Sequence, residues 1–168
     1  LGAITMAGAM QNSLNTVAVG LLQQLGFDKV IETAKSLGVG LTHELGHFYP
    51  LAIGAYEQTL LDMTTAYAAI NNSGIYVKAT PFEEILGPNG ELLWSRRVDG
   101  DRGRRAVDSD IANTMLWMLQ RVVTNGTGGG AALPNRPVAG KTGTSEGGRD
   151  LWFIGSIPQL TTGVWLGY

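Results

Sequence analysis

The chain opens in helical rhythm and closes in strand rhythm. Residues 3–12 are small and apolar and predict a helix that ends near Gln11-Asn12. From Thr16 to Leu25, the residues Val17, Leu21, Leu22 and Leu25 fall on one face, and Gly26 stops the run. Asp28 to Leu37 predicts a third helix with Val30, Ile31, Ala34 and Leu37 as its stripe. Residues 38–58 are glycine-rich and irregular. Thr59 then caps a strong helix with Leu60, Met63, Tyr67 and Ile70 inward and Gly74 as its left-handed terminator.

After Gly74 the period changes. Phe82–Leu86 and Glu91–Trp94 read as two short strands around the turn Pro88-Asn89-Gly90. Residues 95–106 are charged and read as a loop. Asp108 or Ser109 caps a helix over 110–124, with Ile111, Met115, Met118 and Val122 along it. Gly126 to Ala132 is a flexible glycine loop, and strands at 138–144, 151–157 and 160–167 close the chain. Helices first and antiparallel strands last indicate an α+β domain with helices packed on a sheet.

Composition narrows the chemistry. In 168 residues there is no cysteine, which excludes a disulfide framework, thiolate zinc sites and cysteine catalysis. It fits an exported bacterial protein. A formal charge of −2, with the arginines of 96–105 interleaved by Asp99 and Asp101, leaves no footprint for nucleic acid. No apolar run approaches the ~20 residues of a membrane span, and no leader pattern opens the chain. Both ends break inside apolar patterns, so a fragment of a longer protein is expected.

The candidate chemistry is concentrated in Lys141-Thr142-Gly143-Thr144-Ser145, which a strand-compatible run, Val138-Ala139-Gly140, leads into. A strand cation attracts a carboxylate, flanking hydroxyls hydrogen-bond it, and Gly143 lets a ligand backbone approach the strand edge. Ser13-Leu14-Asn15, between two helices, is the second element. Ser13 can relay a proton, and Asn15 can hold a peptide group through its carbonyl and its NH₂. A serine and an asparagine near a helix start also suit simple capping, so this pair gains weight only from the K-T-G-T element that follows it in the chain.

With those motifs in hand, the chain resembles the transpeptidase domain of a class A, bifunctional penicillin-binding protein over nearly its whole length. The resemblance rests on QNSLNTVAVGLLQQLG, on PLAIGAYEQTLLDMTTAYAAINNSG, on VVTNGTGGGAAL and on RPVAGKTGTSEGGRDLWFIGSIPQLTTGVWLGY. It implies the penicillin-binding/β-lactamase-like transpeptidase fold. In this scheme the upstream strands and the S-x-x-K helix are missing, and 1–168 is the C-terminal portion of one domain. Residues 1–74 would form a mainly helical subregion with S-x-N, and 75–168 the hairpin, helix and K-T-G sheet. It implies serine acyl transfer on D-Ala-D-Ala stem peptides, with a glycosyltransferase in the parent. Ser13, Asn15 and Lys141 would be catalytic. Thr142, Gly143, Thr144 and Ser145 would bind substrate, Thr144 through its hydroxyl and its backbone N–H. No cofactor or metal is implied. Partners would be peptidoglycan stem peptides, β-lactams and other cell-wall synthesis proteins. The site would face outward from the bacterial cytoplasmic membrane, with the anchor outside these residues.

The departure is the nucleophile. None of the serines (13, 36, 73, 95, 109, 145 and 156) has lysine three residues on, so S-x-x-K is absent and these residues alone are expected to be inactive. A β-lactam-sensing or scaffold domain is the alternative that keeps the pocket without transfer. A β-lactamase would need a deacylating glutamate in an E-x-x-L-N context, which no glutamate here has. His43-Glu44-Leu45-Gly46-His47 fits the H-E-x-x-H zinc protease pattern. Gly38, Gly40, Gly46 and Pro50 oppose the helix that this pattern needs, so two loop histidines are expected.

Overall fold

The computed structural model describes residues 2–41 and 44–168. Helix α1 spans Met6–Gln11, shorter than its apolar pattern, because the Thr5 hydroxyl caps it by accepting from the Gly8 N–H at 3.1 Å. Helices α2 (Asn15–Leu25) and α3 (Phe27–Ser36) meet at Gly26, whose φ of 84° breaks the chain between them. A 3-10 turn, Tyr49–Ile53, forms in the stretch expected to be irregular. Helix α4 (Leu60–Asn71) begins at Thr59, whose hydroxyl accepts from Asp62 N–H at 3.0 Å, as the sequence predicts. It ends through two residues of positive φ, Ser73 at 51° and Gly74 at 84°. Ser73 takes the left-handed terminating position, and the Gly74 N–H closes on the Ala69 carbonyl at 2.8 Å.

The charged stretch 95–106 is more ordered than a loop. Strands β2 (Glu84–Leu86) and β3 (Leu92–Ser95) form the expected hairpin, and a short helix α5 (Arg96–Asp99) follows at once. Ser95 donates its N–H to Asp99 Oδ2 at 2.8 Å and caps with its hydroxyl, which accepts from Val98 N–H at 3.3 Å. Asp101 then accepts N–H bonds from Lys78 and Gly103, at 2.8 and 2.9 Å, which hold its carboxyl below the usual range. That clasp pairs β4 (Arg104–Arg105) with β1 (Ile75–Tyr76), neither of which the hydrophobic pattern shows. The basic cluster is used locally. The Arg104 guanidinium lies 4.7 Å from the centre of the Tyr76 ring, and Arg105 donates to the Ser73 carbonyl at 3.0 Å.

Helix α6 (Ser109–Asn125) buries Ala112, Met118, Leu119, Val122 and Val123. Met118 and Val122 lie in the core as expected, whereas Ile111 lies one position off this stripe and is exposed. Trp117 is also outside the core, with the Arg121 guanidinium 5.5 Å from its ring centre.

The main sheet is antiparallel, in the order β5 (Ala139–Thr144), β6 (Asp150–Ile157), β7 (Leu160–Gly167). All three strands lie within a residue of their expected bounds. Lys141 is opposite Ile154, and Ile154 is opposite Gly163. Cross-strand partners share a face, so these three point the same way. That face carries the helices: α6 packs on β5, α4 packs on β6 and β7, and α1 packs on α6. A Cβ at Gly163 would collide with Thr64 Oγ1 and approach Leu60 Cδ1 to 2.9 Å, so α4 lies very close to the sheet. Of the expected inward face of α4, Met63, Tyr67 and Ile70 are half-buried or deeper, and burial raises the Tyr67 hydroxyl pKa to about 12. Leu60 is partly exposed, and the most buried positions are Ala66 and Ala69, because the close approach favours small side chains along the contact line.

Gly163→Val in the full-length protein is therefore expected to lower stability by about 1–3 kcal/mol through overpacking, read as a fall in the urea midpoint at unchanged m-value.

Candidate active site

Helix α1 ends in a two-bond cap. The Ser13 N–H donates to the Met10 carbonyl at 3.1 Å and the Leu14 N–H to the Ala9 carbonyl at 3.0 Å. This pattern places one residue in the left-handed region, usually glycine. Here that residue is Ser13, with φ 53°. The cap thus turns the chain sharply and leaves Ser13 exposed on the loop, with Asn15 exposed at the first position of α2.

Lys141 approaches from the sheet. It lies on the helix-covered face, in register with buried Ile154, and its Nζ donates to Ser13 Oγ at 2.7 Å and to the Thr142 carbonyl at 3.0 Å. Burial holds the Lys141 ammonium below its ordinary value of 10.5. A charged ammonium can only donate. Ser13 therefore accepts from Lys141 and keeps its own hydroxyl proton free to donate elsewhere. The two sequence-predicted elements meet here although 128 residues separate them.

The strand edge is equally defined. The Ser145 N–H bonds to the Asp150 carbonyl at 3.0 Å, inside the β5–β6 pair. Backbone groups alternate between the edges of a strand, so the N–H and C=O of Thr142 and Thr144 face away from β6. Strand β5 is the edge of its sheet, and that outer edge is the one open to an extended ligand. Thr144 is exposed there. The Thr142 hydroxyl is 2.9 Å from that of Thr127. An added Cβ at Gly143 would meet Trp152 Cβ at 3.2 Å, so the glycine also serves close packing on the helix-covered face.

Ser145 differs from a free substrate ligand. Its hydroxyl donates to Asp150 Oδ2 at 2.9 Å and accepts from the Asp150 N–H at 2.8 Å. Thr127 was missed by the sequence reading: inside a glycine loop it carries no periodic or motif signal. The loop is anchored because the Thr127 N–H donates to the Gln11 carbonyl at 3.3 Å and Gln11 Nε2 to the Asn125 carbonyl at 2.9 Å. The expected flexible loop is therefore tied to α1.

Of the zinc pattern, only Glu44 to His47 are described. His43 lies outside the described residues. Glu44 to His47 form no helix, and His47 stacks on Phe27 with ring centres 5.3 Å apart while its Nε2 sits 3.1 Å from Asp28 Oδ1. Among the described residues no three histidine or carboxylate groups converge on a metal position.

The family model for the penicillin-binding protein transpeptidase domain matches residues 1–168. The chain belongs to that family. Penicillin-binding protein 1A of Aquifex aeolicus (strain VF5) is 36% identical over 167 residues, covering 99% of this chain and 22% of that protein. The chain thus spans about a fifth of the length of the curated relatives it matches. Among solved structures, PonA1 of Mycobacterium tuberculosis superimposes with a TM-score of 0.86 at 25% identity, covering 99% of this chain and 48% of that one. The same protein is also known in complex with penicillin V. The D,D-transpeptidase domain of a peptidoglycan glycosyltransferase from Eggerthella lenta gives a TM-score of 0.78 at 28% identity, over 96% of this chain and 48% of that one. The α+β architecture is that of penicillin-binding transpeptidase domains.

The left-handed Ser13 carries a backbone cost of order 1 kcal/mol that a glycine would not. Ser13→Gly relieves that cost but removes the charge-assisted bond of half-buried Lys141, worth about 1.5–3 kcal/mol, and is expected to lower stability by about 1 kcal/mol, read as a lower thermal midpoint.

Proposed function

We propose that the protein containing this chain is a serine D-Ala-D-Ala transpeptidase that crosslinks peptidoglycan stem peptides and is acylated by β-lactams. The 2.7 Å bond from Lys141 to Ser13, beside an open strand edge, carries this reading. The nucleophilic serine of an S-x-x-K motif would be supplied from outside these 168 residues, since none of their serines has that context. Taken alone, the chain is then inactive. The parent would pair this domain with a glycosyltransferase and an anchor on the outer face of the cytoplasmic membrane; among the described residues no helix is long and apolar enough to span one.

The residues divide the work. The nucleophile attacks the penultimate carbonyl, and the oxyanion is held by its own N–H and that of Thr144, which faces the free edge. The lysine of the S-x-x-K motif, also outside these residues, takes the nucleophile's hydroxyl proton and returns it through Ser13 to the departing D-Ala amine, while Lys141 stays charged and holds the Ser13 oxygen through its hydrogen bond. Thr144, with Thr142 and the lysine's positive field, receives the terminal carboxylate. Asn15 holds the stem-peptide amide, and the substrate backbone adds to the β5 edge along 143–145. An amine of a second stem then displaces the enzyme serine.

Labelled penicillin is expected to modify the full-length protein covalently and these 168 residues not at all. Ser13→Ala and Lys141→Ala in the full-length protein are each expected to reduce acylation by about 100-fold or more, and near-normal labelling would refute the roles assigned.

The lysine also sets a pH dependence. Its native pKa is lowered from 10.5, so between the two values the unfolded chain binds more protons and stability rises with pH. Acylation should fall over the same alkaline interval as the ammonium is lost. Lys141→Arg is expected to move that alkaline limb out of range, which a pH–rate profile of penicillin acylation reads directly.

A further inference from the structure

The end of β5 is held by a clasp that the reaction scheme leaves unused. Residue 150 takes part in all of it. The Ser145 N–H donates to the Asp150 carbonyl at 3.0 Å, and the Asp150 N–H donates to Ser145 Oγ at 2.8 Å. The Ser145 hydroxyl donates to Asp150 Oδ2 at 2.9 Å, and Trp165 Nε1–H donates to Asp150 Oδ1 at 3.0 Å. Both carboxylate oxygens are thus engaged, one by the last residue of the K-T-G-T-S run and one by β7. Asp150, Trp152 and Trp165 share a sheet face, and the two indoles lie 6.5 Å apart at 54°.

The connection that this clasp spans is a single 3-10 turn, Glu146–Gly148, closed by the Gly148 N–H on the Ser145 carbonyl at 3.0 Å. Residues 146–149 are short and exposed apart from the clasp, with Gly147 and Gly148 at φ 73° and 68°. Two left-handed glycines impose little stiffness on a strand end. Thr144 is the residue before the clasp, and its outward N–H acts only if its nitrogen lies about 2.7–3.1 Å from the developing oxyanion, a position to be held within about 0.5 Å. We infer that Asp150 is a positioning residue for acyl transfer: bridging Ser145 to Trp165, it fixes the Thr144 N–H and the substrate-binding edge in place. This rests on the transpeptidase reading above. It also reassigns Ser145 from substrate ligand to the inner half of the clasp.

The test uses the full-length protein and labelled penicillin, with non-covalent affinity and acylation rate constant separated by stopped-flow. Asp150→Ala is expected to slow acylation about 10- to 100-fold, as a misplacement of about an ångström does, with affinity changed less than about threefold. Asp150→Asn keeps an acceptor for Trp165 and a donor for Ser145, and is expected to recover most of the rate. Ser145→Ala is expected to slow acylation by itself and to add nothing in the Asp150→Ala background. Ser145→Ala leaves the Trp165 bond intact, so it carries the test if Asp150→Ala fails to fold. Wild-type acylation rates in both Asp150→Ala and Ser145→Ala would overturn the positioning role while leaving the transpeptidase reading standing. Additive effects of the two changes would overturn the clasp. A wild-type protein that takes up no label would overturn both readings.

Discussion

One charge-assisted hydrogen bond organises this molecule, the 2.7 Å contact from Lys141 to Ser13. It needs a cation carried half-buried on a sheet and a hydroxyl carried on a loop between helices, and it needs the two layers at a fixed separation. The cation is held there at a cost, because burial disfavours its charge. The serine is held there at a cost as well, in a left-handed conformation that glycine would fill more easily. Unfavourable terms on both sides of a single contact mark a place where the fold serves chemistry.

The rest of the architecture supplies the separation. Helix α4 is drawn onto β6 and β7 by small residues, with Gly163 under Thr64 and with Ala66 and Ala69 buried. Helix α6, with Met118, Leu119 and Val122 buried, lies on β5, and α1 lies against α6. Packing at crystal-like density transmits position, so a strand and a loop far apart in sequence are brought together to within a hydrogen bond. The glycine loop after α6 adds a tether, because Gln11 and Thr127 link it to α1 and Thr142 to the strand. The clasp of Ser145, Asp150 and Trp165 then stiffens the strand end beyond what the glycine turn supplies.

Much of this was legible beforehand, and the exceptions have physical causes. The α6 helix and the three terminal strands followed from period and breakers, because each element buries one face over many residues. The strands β1 and β4 were invisible, since two-residue pairings carry no period and rest on side-chain-to-backbone bonds of Asp101. On α4 the pattern found Met63, Tyr67 and Ile70 but not the most buried positions, Ala66 and Ala69, because bulk usually signals burial and here proximity to the sheet selected alanine.

By itself the sequence determined the chemical inventory: a lysine among strand hydroxyls, a serine and an asparagine on a helix-bounded loop, and the family to which they point. It also determined that these residues contain no S-x-x-K serine. Only the tertiary structure decided that Lys141 reaches Ser13, that Thr144 turns its N–H to the free edge, and that the Ser145 hydroxyl is committed to Asp150. The reason is range. Periodicity and motif chemistry act within a few residues, whereas a hydrogen bond across 128 residues depends on how whole layers pack.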